Sequence, residues 1–242
     1  HSVAEATMTN RVLDFYFDYL SPYAYFSWRQ LQPLCQRYAV ELHPHPVVFG
    51  KLLDHWGQLG PAEIPPKKTA LYKYCYRYAQ LHGFNFNPPN CHPFNPLPAL
   101  RLSLAEVSQE QQPQLINALF EAGWSQGADL GSVATLTEIL DAVGLDSIAL
   151  LQEISTPVIK AALKQQTEQA IARGVFCVPT FIVDDELFWG NDQFEHLELF
   201  LQGNDPLDPE SVEAMLARRR GIDRKVSVDR ITKQWQTAQD KR

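Results

Sequence analysis

Residues 11–18, Arg-Val-Leu-Asp-Phe-Tyr-Phe-Asp, alternate and are rich in β-branched and aromatic side chains, which predicts a strand. Ser21-Pro22 follows at once, with serine suited to cap a helix and proline to its first position. Tyr25, Trp28, Leu31, Leu34 and Cys35 then recur at helical spacing, so a helix is expected to about Tyr38. Val40 to Phe49 reads as a second extended segment, whose prolines place it at a sheet edge or strand end. Strand, helix and strand in this order predict a parallel β-α-β unit.

The pattern then changes. Gly57 to Lys68 is a Gly/Pro-rich loop, Tyr72 to His82 has helical length, and Phe84 to Pro98 is irregular. Helices are expected over roughly Ala99–Val107, Gln114–Gln126, Ser132–Val143, Ser147–Ile154 and Pro157–Arg173, the last starting on a Thr156 cap. Strand character returns at Thr180–Val183 and Glu186–Trp189 around an Asp184-Asp185 turn, followed by a helix from Gln193 to Leu201. Beyond Pro206 the chain is polar, with a helix over Ser211–Arg220 and a frayed end expected. The two β-bearing ends thus read as one sheet interrupted by helices. The expected division is 11–52 with 174–203 as the sheet domain, 53–173 as an all-helical insertion, and 204–242 as a C-terminal helix and tail.

Composition narrows the functional classes. Apolar residues make up 45% and charged residues 20% of the 242 residues, as expected of a globular protein with an ample core. A net charge of −7 argues against nucleic acid or an anionic membrane as the main partner. No run of about 18 apolar residues occurs, so no transmembrane helix is expected. The first ten residues lack the layout of a signal peptide and read as a disordered leader, with Met8 as the natural start. Cys35, Cys75, Cys91 and Cys177 include no C-x-x-C pair, which predicts reduced thiols in a cytoplasmic protein.

Four local features can carry chemistry, and each also has a plain structural reading. Asp18-Tyr-Leu-Ser21-Pro22-Tyr23 sits where a strand enters a helix; Ser21 is an N-cap, yet that helix end also favours an anion such as a thiolate. Val178-Pro179 opens a buried strand; it is either an ordinary trans start or a cis-proline that turns the Val178 backbone toward a peptide-like ligand. Trp189-Gly-Asn191-Asp192 is a turn with a cap, or a place where Asp192 meets a ligand ammonium. Gly57 to Lys68 is a surface loop, or it brings Lys67 to a ligand carboxylate with Gln58 offering an amide. His43-Pro-His45 lacks a cluster to complete a metal site, so no metal is expected. Arg218–Arg220 reads as a solvated helix end, and Cys177 as a small buried hydrophobe close to any bound thiol. Tyr72, Tyr74, Tyr76 and Tyr78 cannot all share one helix face, so some line a pocket or a dimer contact.

Together, FYFDYLSPYAYF, GVFCVPTFIV and LFWGNDQF, in this order around a helical block, resemble 2-hydroxychromene-2-carboxylate isomerases and the related kappa-class glutathione transferases. Both belong to the DsbA-like branch of thioredoxin folds, and the resemblance covers about residues 11–202. It implies an α/β thioredoxin-like fold with an inserted all-helical domain, and glutathione as cofactor. Ser21 takes the place of the first redox cysteine and Ala24 that of the second, so this pair cannot exchange disulfides. By resemblance Ser21 is catalytic and holds the glutathione sulfur as a thiolate, with Pro22 and Tyr23 beside it. Val178 and cis-Pro179 meet the cysteinyl part, Asn191 and Asp192 the γ-glutamyl end, and Lys67 lies near the ligand. Gln58 aligns with an asparagine of kappa members, which keeps the amide and lengthens its reach; Cys177 stands where the family often has glycine.

The implied reaction is glutathione-dependent isomerisation of an unsaturated aromatic keto acid through reversible thiolate addition, with 2-hydroxychromene-2-carboxylate as type substrate and Tyr23 and Trp124 walling its flat ring. A kappa-class-like transferase that conjugates electrophiles, and a glutathione- or peptide-binding protein without turnover, are the alternatives. The family's frequent dimerisation makes a homodimer an expectation.

Overall fold

The computed structural model describes residues 11–222 and 228–241; the expected leader with Met8 lies outside the described residues. In chain order, β1 (Val12–Phe17), α1 (Pro22–Arg37) and β2 (Glu41–Pro46) form the opening unit. A helical block follows: α2 (Phe49–Trp56), α3 (Pro65–His82), α4 (Leu97–Leu102), α5 (Ala105–Ser108), α6 (Gln112–Phe120), α7 (Val133–Ala142), α8 (Ser147–Glu153) and α9 (Pro157–Ala172). The chain then returns as β3 (Thr180–Val183), β4 (Glu186–Trp189) and α10 (Phe194–Leu201), and adds α11 (Pro209–Leu216) and α12 (Val228–Gln239).

The sheet order is β2-β1-β3-β4, with β2 parallel to β1 and the other neighbours antiparallel. Central β1 is covered on both faces. Leu13, Phe15 and Phe17 join Trp28 and Leu31 of α1, Leu115 and Leu119 of α6 and Leu163 of α9 in one core, which therefore runs through sheet and helical block alike. Tyr16 and Ile182 face the other way, onto Val47, Leu52, Ala170, Val175 and Val178. Each large apolar side chain so buried contributes about 1.5–3 kcal/mol.

The edge strand β2 accommodates Pro44 and Pro46, as its prolines predict. The N–H groups of Glu41 and Val47 bond inward to the β1 side. By alternation Leu42, Pro44 and Pro46 point outward, so two of these three positions have no N–H to offer. The outward carbonyls of Pro44 and Pro46 take side-chain amides from Gln112 of α6 (3.5 Å) and Gln166 of α9 (2.7 Å).

Three departures from the sequence reading stand out, the first with a tertiary cause and the others with local ones. The extended segment expected to reach Phe49 stops at Pro46, and Phe49 begins α2. Val48 offers no side-chain cap; instead Asp18 accepts the Phe49 N–H (2.9 Å) from another part of the chain, and Thr167 of α9 accepts that of Val48 (3.1 Å). The helix α3 begins at Pro65, seven residues before Tyr72, since two prolines suit a first turn. This moves Lys67 from a loop onto a helix. Finally, Ser211–Arg220 is replaced by Pro209–Leu216, capped by Asp208, and the end expected to fray carries α12.

Candidate functional site

The sheet topology gathers the four sequence features at one end. Tyr16 pairs with Thr180, and Thr180 with Trp189, so the segments after β1, before β3 and after β4 leave the sheet together. β2, parallel to β1, sends its continuation toward α2 at this end as well.

Ser21 caps α1 from an extended conformation (φ −95°, ψ 113°), and its Oγ accepts the Ala24 N–H at 3.1 Å. The hydroxyl hydrogen makes no bond among the described residues, so Ser21 can still donate toward an anion at the positive end of the helix. Pro22 occupies the first helical position, where a missing N–H costs nothing.

The turn that carries Ser21 is fixed from several sides. Asp18, fully buried, accepts the N–H of Leu20 (3.0 Å) and of Phe49. Burial without a partner cation pushes its carboxyl up to about 7 against the pull of these two bonds. Trp124 donates its indole N–H to the Tyr19 carbonyl (2.7 Å), and His92 Nε2 lies 2.9 Å from the Leu20 carbonyl. A carbonyl can only accept, so His92 carries its proton on Nε2, and Nδ1 accepts the Tyr72 hydroxyl (2.8 Å). Burial, together with the charge of Lys68, lowers the His92 pKa, against the pull of the Leu20 bond. Lys68 Nζ in turn donates to the His92 carbonyl (2.8 Å). His92 is not singled out by the sequence; Asp18 enters there only as the start of the Asp18–Tyr23 feature, and Tyr72 only through the tyrosine spacing.

The Val178–Pro179 bond is cis, as is His92–Pro93. Among the described residues the Val178 N–H and carbonyl have no backbone partner, while the neighbouring Pro179 carbonyl accepts the Gly190 N–H (3.0 Å). Trp56 and Gln58 brace the preceding residues, donating to the carbonyls of Val175 (3.1 Å) and Phe176 (3.0 Å). Cys177 is partly buried. Burial raises its thiol pKa, although hydrogen bonds with Trp189 and the Val178 carbonyl, and the charge of Lys67, pull it down. Cys35 and Cys75 are pushed up by burial to about 11 and about 12, so none of these three thiols is poised as a thiolate nucleophile.

Tyr23 is half-buried with its ring 5.5 Å from that of Tyr74, edge to face. Burial raises its pKa, and nearby Cys75, Tyr74 and Asp192 add to the rise. Asp192 is exposed in the turn Asn191–Gln193. Its carboxylate leans over Gly190, where an added Cβ would lie 2.5 Å from Oδ1 and φ is +106°. Asn191 points inward: Oδ1 accepts from Ser27 (2.9 Å) and Gln30 (3.1 Å), and its buried Nδ2 has no partner. Trp124 corrects an expectation. It is fully buried, stacked on Phe86 and edge-on to His92, and presents no surface to a substrate. His43 and His45 pair with Glu41 and Asp14, and no metal-binding group occurs among the described residues.

Comparison with known proteins agrees with this frame: the DSBA-like thioredoxin domain family matches residues 12–202. The chain belongs to that family. Within the DsbA-like thioredoxin family it is 30% identical to 2-hydroxychromene-2-carboxylate isomerase from Pseudomonas putida over 194 residues, covering 77% of this chain and 92% of that protein. It is 27% identical to glutathione S-transferase kappa 1 from Rattus norvegicus over 209 residues, covering 79% and 91%. A solved structure of 2-hydroxychromene-2-carboxylate isomerase superposes with a TM-score of 0.74 at 26% identity, covering 86% of this chain and all of that one. This DsbA-like protein carries Ser21 and Ala24 at the head of α1, with no sulfur at either position.

Proposed function

We propose that the protein is a glutathione-dependent isomerase acting on an unsaturated aromatic keto acid of the 2-hydroxychromene-2-carboxylate type. The observation that carries this reading is the Ser21 hydroxyl: it caps α1 through its oxygen, keeps its hydrogen to donate, and stands at a helix head where neither residue 21 nor residue 24 is a cysteine.

The residues fit a tripeptide thiol. Among the described residues the Val178 N–H has no backbone partner, and its carbonyl holds only a long contact from the Cys177 thiol (3.7 Å), which leaves both free to pair with a cysteinyl backbone in the manner of an added strand. Asp192 suits an ammonium, the Asn191 backbone the adjoining carboxylate, and Lys67, on the first turn of α3, a second carboxylate. When bound, glutathione supplies a thiolate that adds reversibly to a carbon conjugated with a carbonyl. Ser21 donates to the sulfur, a charge-assisted bond worth about 1.5–3 kcal/mol, which lowers a thiol pKa by about 1–2 units. The N-terminus of α1 adds its dipole. Tyr23 offers an apolar edge for a flat substrate beside the sulfur.

The resemblance to kappa-class transferases supports a second reading, in which the same thiolate stays attached to an electrophile. Incubation with 2-hydroxychromene-2-carboxylate and reduced glutathione separates the two. An isomerase gives many turnovers with total glutathione unchanged; stoichiometric loss of glutathione favours the transferase, and absence of turnover with any substrate leaves a binding protein. The cysteines Cys35, Cys75, Cys91 and Cys177 are all unpaired, which supports a reducing, cytoplasmic setting. No helix among the described residues is long and apolar enough to cross a membrane. We place the protein in the cytoplasm as a homodimer, with the exposed Tyr74 and Tyr76 of α3 as candidate contacts.

A further inference from the structure

The helix α12 lies beyond the residues matched by the family, which end at 202, yet it packs on the segment that leads to cis-Pro179. Its Trp235 is half-buried and touches two groups. The ring centroid is 5.8 Å from that of Trp56, at the end of α2. The far edge of the same indole covers Gly174, where an added Cβ would fall 2.8 Å from Cη2. Gly174 has φ +87°, so that position favours glycine for its backbone and for the space that Trp235 fills.

Both contacts act on one short stretch. Trp56 donates its indole N–H to the Val175 carbonyl, Gln58 its amide to that of Phe176, and the Val175 N–H bonds to Ala170 at the end of α9. Gly174, Val175 and Phe176 are thus held from three sides immediately before Cys177 and Val178. The outer face of Trp56 and Gly174 is covered by α12.

We propose that α12 is a strap built onto the family fold: through Trp235 it clamps Trp56 and Gly174 and so fixes the backbone direction of Val178. Trp235 is a positioning residue. It acts through Trp56 and the 174–176 segment, and neither of these contacts is with a residue assigned to the ligand. What the segment serves rests on the glutathione reading above; that α12 fixes it does not.

Two variants of the full chain, Trp235→Ala and Trp235→Phe, test this with two readouts. The first is hydrogen exchange of the Trp56 indole N–H and of the Val175 amide, followed by NMR without ligand. Loss of one aromatic contact should speed both about threefold to tenfold in Trp235→Ala, and Trp235→Phe should recover most of the protection. The second is the affinity for reduced glutathione by calorimetry, expected to weaken by a similar factor in Trp235→Ala while the unfolding midpoint hardly moves. Unchanged exchange in Trp235→Ala overturns the strap. Faster exchange with glutathione affinity equal to wild type overturns the positioning role. Faster exchange in a protein whose wild type takes up no glutathione upholds the strap and removes the glutathione reading instead.

Discussion

The turn at residues 18–21 and the segment at 174–179 face the same end of the sheet but are stabilised in opposite ways. In the first, the backbone groups are spoken for by side chains from elsewhere in the fold and from the turn itself: Asp18, Trp124 and His92 hold Leu20, Tyr19 and Phe49. In the second, the residues before Val178 are braced while Val178 itself is left without a backbone partner. The difference separates two requirements of a binding site. A hydroxyl that must meet a sulfur needs a rigid mount, and a strand-like contact needs an unfilled donor and acceptor.

The contrast can be broken first at Trp124. As part of the mount it is core, so Trp124→Ala should cost about 3–5 kcal/mol in chemical denaturation. A variant that keeps its stability and loses only substrate affinity would make Trp124 a pocket wall after all. Asp18 gives the next largest effect, read as a pH dependence. A carboxyl whose folded pKa is raised from 3.8 to about 7 contributes stability that is fully present below about 4 and is lost as pH rises to about 7. Wild type should therefore lose a few kcal/mol relative to Asp18→Asn between pH 4 and 7, at about 1.36 kcal/mol per unit. His92, whose pKa is lowered, works in the other direction near neutrality but is common to both proteins and cancels. A constant difference across that window would show that Asp18 stays ionised throughout.

Ser21→Ala sharpens the comparison from the ligand side. It should reduce kcat by about tenfold to a hundredfold, leave glutathione affinity nearly unchanged, and cost about 1 kcal/mol of stability through the lost cap. Full activity in this variant would detach the hydroxyl from the chemistry. The smallest effect is expected at Lys67, an exposed residue: Lys67→Gln should weaken glutathione binding by no more than about 1 kcal/mol, and less at high salt. An effect that salt does not diminish would argue against a carboxylate partner.

Much of this frame is legible in the chain because its signals are local. The Ser21-Pro22 and Thr156-Pro157 starts, the alternation in β1 and the Asp184-Asp185 turn all sit where their residue types predict, the two aspartates both with positive φ. The start of α2 was not legible, since its acceptor, Asp18, is thirty-one residues away. His92 was hidden for the same reason: nothing in Cys-His-Pro announces a bond to Leu20. Asn191 shows the limit of motif reading, since its place in the chain is as expected while its amide turns toward Ser27 and Gln30. Trp124 shows another, because aromaticity alone cannot distinguish a pocket wall from a core residue one layer below.

The prolines of β2 have a consequence for how these molecules behave at high concentration. With no amide hydrogen at Pro44 and Pro46, and their carbonyls already occupied by Gln112 and Gln166, that border of the sheet offers almost nothing for a foreign strand to zip onto. Runaway sheet growth from one molecule to the next is thereby blocked on the β2 flank, and any such growth would have to begin at the opposite rim, along β4.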